Sequence, residues 1–151
     1  MGENTALAAE SFCDVVRDHA RVQGDVIAFT YAGEEISFAE LDEGANRAAN
    51  GLTALGVKPG ERVAFLGKNH PLYFEAFVGA ARIGAVMTPV NWRLAPPEVA
   101  YILDNCQARV VFIGEGFADV LSSIRADCPR VEQVIGIDAP DFAGTDYRIW
   151  R

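Results

Sequence analysis

Apolar positions along this chain alternate between two rhythms, a helical spacing of about 3.6 residues and short, nearly continuous runs. Phe12, Val15, Val16 and His19 share one side of a helix predicted over about Ser11 to Val22, which Gly24-Asp25 breaks. Val26 to Tyr31 is rich in β-formers, Ala32-Gly33-Glu34 turns the chain, and Glu35 to Ser37 returns, so a small hairpin is expected. The next helix carries the strongest marks. Ser37 precedes Glu40 by the spacing of a capping box, in which each side chain accepts from a free backbone N–H of the other residue. Leu41, Ala45, Ala48, Leu52 and Leu55 then recur on one face, with Asp42, Glu43, Arg47 and Asn50 on the other. Gly56 is placed for the left-handed position after the helix, and Pro59-Gly60 makes the following turn.

Arg62 to Leu66 is a contiguous apolar strand. Asn69, His70 and Pro71 mark a helix start, with Pro71 in the first turn, where its missing N–H costs little. From Leu72 to Ile83 that helix is apolar on most sides, and Glu75 and Arg82 form a narrow polar stripe. A helix of this kind is covered from more than one direction. Gly84 ends it, and Ala85 to Thr88 is a short strand. Pro96-Pro97 opens a helix reaching about Cys106, Arg109 to Ile113 is a strand, Phe117 to Ala126 a helix and Gln133 to Ile137 a strand. This alternation predicts an α/β fold, a mostly parallel layered sheet with flanking helices plus the small N-terminal hairpin. Residues 138–151 read as a loop or truncated linker that regains apolar character at Tyr147-Arg148-Ile149-Trp150. The expectation is a single incomplete domain over 1–151.

Composition narrows the partners. Half of the 151 residues are apolar, too many for a disordered chain. Thirteen basic against 21 acidic residues give a net charge of −8, the wrong sign for nucleic acid or an anionic membrane surface. No apolar run reaches membrane-spanning length: Arg82 interrupts one candidate and Thr88-Pro89 another. The first ten residues lack the basic and apolar regions of a secretory signal, and Ala6 stands where a myristoylation signal wants Ser or Thr. Cys13, Cys106 and Cys128 are odd in number and widely spaced, which reads as reduced cytoplasmic thiols with no metal site.

Three stretches, taken in order, carry a family likeness. Ile36-Ser37-Phe38-Ala39-Glu40-Leu41, then Ala54 to Ala64 (ALGVKPGERVA), then Ala81 to Asn91 (ARIGAVMTPVN) resemble motifs of the N-terminal part of the AMP-forming acid–CoA ligases, the adenylating acyl-CoA synthetases. Ile36 replaces the usual Leu, Phe38 the usual Tyr, and Met87-Thr88 is an uncommon strand ending. The ending Asn91-Trp92-Arg93-Leu94 is similar to fatty or aryl acid ligases rather than peptide-synthetase modules. The resemblance implies a parent enzyme that uses ATP and Mg²⁺ to turn a carboxylic acid into an acyl-adenylate and then transfers the acyl group to CoA. The family's phosphate-gripping Ser/Thr/Gly-rich loop closing in Lys is missing here, where the only lysines are Lys58 and Lys68. No catalytic residue is therefore expected in this chain, and no tight binding of ATP, CoA or Mg²⁺ by it alone. A stand-alone, non-catalytic α/β interaction module is the alternative. Under either reading an exposed apolar surface predicts self-association, in the simplest case a homodimer.

Arg93 is the candidate binding residue. It follows a strand end, Arg suits phosphate recognition, and the resemblance puts this region near the mouth of the CoA channel. The competing reading is a surface ion pair with Glu98. Gly114-Glu115-Gly116 sits between a strand and a helix like a dinucleotide fingerprint, but Asp119 occupies the third glycine position and Glu115 adds charge against a pyrophosphate. His19 and His70 read as structural. Ser37, Glu40, Gly84 and Pro89 read as packing and capping residues, and Glu34, Glu35, Asp42 and Glu43 as a solvated acidic face.

Overall fold

The computed structural model describes residues 11–151. The leader and lipidation readings rest on residues 1–10 and lie outside the described residues. In chain order the elements are α1 (Phe12–Gln23), β1 (Ile27–Tyr31), β2 (Glu34–Ser37), α2 (Phe38–Ala54), β3 (Arg62–Leu66), α3 (Pro71–Arg82), β4 (Val86–Val90), α4 (Pro96–Cys106), β5 (Val110–Ile113), α5 (Ala118–Ile124), β6 (Gln133–Gly136), β7 (Thr145–Asp146) and α6 (Tyr147–Trp150). The fold class is the expected one. Strands β3 to β7 form one parallel sheet in the order β4-β3-β5-β6-β7, and β1 and β2 form a separate antiparallel hairpin. Ala32 and Gly33, at φ 51° and 88°, make its two-residue turn, a geometry that matches strand twist.

The contiguous apolar strands are explained by burial on both faces. Val63, Phe65, Val110 and Phe112 point into a core with Ala48 and Leu52 of α2, Leu72, Ala76 and Ala80 of α3, and Tyr147 of α6. Their neighbours Ala64, Leu66, Val111 and Ile113 point the other way, against Val99 and Leu103 of α4 and Leu121 and Ile124 of α5. The sheet is thus the middle of three layers. A satellite core of Val16, Leu41, Ala45 and Val78 lies where α1 and the hairpin meet α2 and α3.

Helix α2 starts as its sequence dictates. Ser37 Oγ accepts from the Glu40 N–H at 3.2 Å, and Glu40 Oε2 accepts from the Ser37 N–H at 2.8 Å. The bond from the Ser37 backbone N–H first, and one from the Ser37 hydroxyl to the same Glu40 oxygen second, hold the Glu40 carboxyl below its ordinary pKa. Gly56 takes the left-handed conformation at φ 75°. Helices α2 and α3 approach closely at Gly79, where a Cβ would stand 2.8 Å from both the Ala45 carbonyl oxygen and the Ala48 Cβ.

Several expectations change. The polar stripe of α3 does not face water. Glu75 is buried, lies over Gly44 and is ion-paired with Arg151 at 2.6 Å. Arg82 is tied to Asp42 and to Asn46 Oδ1, so Asp42 leaves the solvated acidic face to which it was assigned. The reason is tertiary: the stripe meets α2 on one side and the end of the chain on the other. Residues 138–151 are not loop throughout, because Thr145–Asp146 joins the sheet as β7 and Tyr147–Trp150 forms α6. Tyr147 is fully buried with its ring edge-on to Phe112 at 5.8 Å, and Trp150 covers Gly51. Strand β4 runs to Val90 through Pro89, which the sheet tolerates because β4 is an edge. The helix expected to reach Ala126 becomes α5 and a 3-10 turn at Arg125–Asp127.

Candidate functional site

The order β4-β3-β5 places a topological switch between β3 and β5. The chain leaves β3 toward α3 on one face of the sheet and leaves β5 toward α5 on the other. Loops that diverge at the carboxyl ends of parallel strands open a crevice, the usual ligand position in such sheets. At its floor Gly67 and Gly114 lie back to back. A Cβ on Gly67 would come within 3.1 Å of the Gly114 backbone nitrogen, so a side chain here would press on that backbone.

Two clefts flank that contact. One, of about 300 Å³, lies over the ends of β3 and β4 and is lined by Phe65, Asn69, Tyr73, Asn91 and Trp92, with no acidic side chain. The other, of about 270 Å³, lies over β3, β5 and β6 and is lined by Tyr31, Lys68, His70, Glu115 and Asp138. The first is aromatic and carries no charged side chain, and the second mixes Lys68 and His70 with Glu115 and Asp138.

Arg93 follows Trp92, a wall of the aromatic cleft. Its backbone N–H donates to Asn91 Oδ1 at 3.0 Å, which folds the Asn91–Leu94 turn. Its guanidinium carbon lies 4.0 Å from the centre of the Trp92 ring, and the Lys68 ammonium lies 5.6 Å from the same ring. The expected rival contact is not made. Glu98 Oε2 instead accepts from the Ala95 N–H at 2.8 Å and caps α4. Among the described residues neither Arg93 nor Lys68 has a carboxylate partner, and both stand free to meet an anion. The Gly114-Glu115-Gly116 loop cannot do the same, because the Gly116 N–H already donates to the Asp141 carboxylate at 3.2 Å.

Sequence reasoning named Arg93 as a candidate but not Lys68, which lies near the same Trp92 ring. Lys68, one of two lysines, directly follows a buried strand, and that placement was the available clue. His70 caps α3, as its position suggested. Its link to Asp138 at 2.9 Å spans 68 residues and is invisible to local pattern. His19 is structural, 2.9 Å from the Val15 carbonyl and against the Phe38 ring. Cys13 and Cys128 are buried, and burial above all raises both thiol pKa values. Among the described residues no three His, Cys, Asp or Glu side chains gather to hold a metal, so no step through Mg²⁺ is derived for this chain. Among them, too, no helix is long and apolar enough to cross a membrane.

Comparison with known proteins agrees with this geometry. The family model described as AMP-binding enzyme matches residues 16–148. The fatty acid--[acyl-carrier-protein] ligase ScoC of Streptomyces coeruleorubidus is 36% identical over 118 residues, 78% of this chain and 23% of that protein. The long-chain-fatty-acid--CoA ligase FadD13 of Mycobacterium tuberculosis is 40% identical over 130 residues, 83% of this chain and 26% of that protein. The crystal structure of the anthranilate CoA ligase AuaEII with anthranoyl-AMP superposes with a TM-score of 0.84 at 29% identity, covering 91% of this chain and 26% of that one. The chain thus spans about a quarter of the length of the relatives it matches. A family model covering this much of the chain, together with a matching three-layer fold, establishes that the chain belongs to the AMP-binding enzyme family, among the acid ligases.

Proposed function

We propose that this chain is the N-terminal part of an acid–CoA ligase that activates a fatty or aryl carboxylic acid with ATP. In the first step a carboxylate oxygen bonds to the α-phosphorus of ATP and pyrophosphate leaves. In the second the CoA thiolate sulfur bonds to the acyl carbon and AMP leaves. Such chemistry rests on positioning and on neutralising phosphate charge. This chain supplies positioning: the crevice at the β3, β4 and β5 ends receives the nucleotide end of CoA, and Arg93 meets a CoA phosphate. The observation that carries the reading is a guanidinium 4.0 Å from the centre of the Trp92 ring with no carboxylate to neutralise it among the described residues. Groups that make and break bonds are assigned to chain outside these residues, together with any Mg²⁺. The spacing of the three thiols supports a cytoplasmic setting.

The relatives support both fatty and aryl acids as substrates, and ScoC is a ligase to a carrier protein. The test therefore separates the steps. The full-length protein is assayed for acid-dependent exchange of pyrophosphate into ATP, then for thioester formation with CoA. Exchange followed by CoA thioester is the expected result. Absence of exchange across a panel of fatty and aryl acids overturns the reading, and thioester formation only with a carrier protein moves the acceptor. Phe12, Ile27, Tyr31 and Phe74 are exposed on α1, β1 and α3, which supports self-association of this chain. Sedimentation should show a species heavier than monomer as concentration rises, and a monomer throughout would refute it.

A further inference from the structure

We propose that His70 is a pH-sensitive latch on the start of α3: while neutral it holds the Leu72 N–H at Nδ1 and Asp138 at Nε2, and when protonated at Nδ1 it gives up Leu72 and frees the first turn of α3 while keeping Asp138. Its two ring nitrogens have opposite and fixed duties. Nδ1 accepts from the Leu72 N–H at 3.2 Å, so it carries no proton. Nε2 lies 2.9 Å from Asp138 Oδ2 and must donate. One tautomer alone satisfies both. A proton added at Nδ1 would face an N–H donor and sit inside the positive end of a twelve-residue helix.

Asp138 favours the cation, but it is shared with Arg148 and does not outweigh burial. Asp138 is the one carboxylate bonded to the ring, and it already serves Arg148, whose Nη2 lies 3.1 Å from Oδ2. Tyr31 of the hairpin covers the ring at 5.1 Å between centroids. Lys68 and Asn69 on its own loop, and Glu115 across the crevice, complete the lining. The His70 side chain is only 14% exposed. Burial first, and the Arg148 charge second, hold the imidazole below its ordinary pKa. The sign follows. A histidine whose folded pKa lies below its unfolded value contributes fully above about pH 6.5, and that contribution is lost as pH falls toward the folded value. Asp138 itself sits at φ 43°, a left-handed conformation held in place by these contacts.

The latch acts on the loop 67–70, which brings Lys68 to Trp92. Its consequence for CoA rests on the reading above, whereas the latch itself is tested on this chain without CoA. His19 is the only other histidine, so His19→Gln assigns the ring signals. Nuclear magnetic resonance should show the Nε2–H tautomer at neutral pH and a titration midpoint below about 6.5. Hydrogen exchange at the Leu72 amide should quicken on the order of fivefold below that midpoint, after correction for intrinsic exchange, as expected for one lost cap. His70→Asn, a good capping residue without a proton to gain, should keep Leu72 protected across the range. An Nδ1–H tautomer, a midpoint at or above 6.5, or an acid loss of Leu72 protection equal in His70→Asn would overturn the proposal. The first two outcomes are read on the unsubstituted ring and do not depend on how the variant folds.

Discussion

The buried pair Glu75–Arg151 allows a quantitative test of how the end of the chain is held. Glu75 and Arg151 side chains are 11% and 14% exposed, and Glu75 also faces Arg47 of α2 and Arg148 and Tyr147 of α6. Burial raises the Glu75 pKa even against the pull of Arg151, so the carboxylate is held at a cost that its partner only partly offsets. Replacing Arg151 by Met leaves that charge unpaired and should destabilise the fold by about 3–5 kcal/mol near neutral pH. Replacing Glu75 by Leu should cost about 1–3 kcal/mol, the penalty of leaving the half-buried Arg151 donors without their acceptor. The double variant Glu75→Leu with Arg151→Met removes both charges and should return to within about 1 kcal/mol of the parent. The pH sign is set by the raised pKa. The folded state binds the proton more readily than the unfolded one, so stability rises as pH falls through the folded pKa. With Arg151 gone the pKa rises further, and the deficit of Arg151→Met shrinks as pH falls from neutral toward the raised Glu75 pKa. Urea denaturation of the four proteins at neutral pH and at a lower pH measures this. A deficit for Arg151→Met under about 1 kcal/mol at the higher pH, or one that does not shrink at the lower, refutes the reasoning.

Two further substitutions probe the sheet and the crevice floor. Leu52 is fully buried, so Leu52→Ala should cost about 2–5 kcal/mol in urea denaturation with an unchanged slope. Gly67→Ala drives a methyl toward the Gly114 backbone and the Phe65 ring, and should lower stability by about 1–3 kcal/mol by the same measurement; a neutral result would mean that the crevice floor is soft.

Local signals were legible and distant ones were not. The Ser37–Glu40 box and Gly56 mark the two ends of α2, and the structure keeps them all. The apolar runs at Arg62–Leu66 and Val110–Ile113 announced buried parallel strands. Their order did not follow, because periodicity says which faces are covered and not which strand is the neighbour. Glu75 was legible only as part of a narrow polar stripe on α3, with no partner in view. Its burial depends on Arg151, 76 residues away. Strand β7, two residues long, is below the reach of any periodic pattern. In the candidate site Arg93 was visible from its place after a strand end. Lys68 joins it only because β3 and β4 are neighbours in register, with Leu66 opposite Val90.

The central claim is that the crevice at the β3, β4 and β5 ends holds the phosphate-bearing end of CoA through Arg93. It is tested most directly by KM values of Arg93→Ala in the full-length ligase, with acid, ATP and CoA varied in turn. Loss of one charge-assisted contact, about 1.5–3 kcal/mol, should raise the KM for CoA by about tenfold or more and leave those for acid and ATP near their parent values. An unchanged KM for CoA would contradict the account.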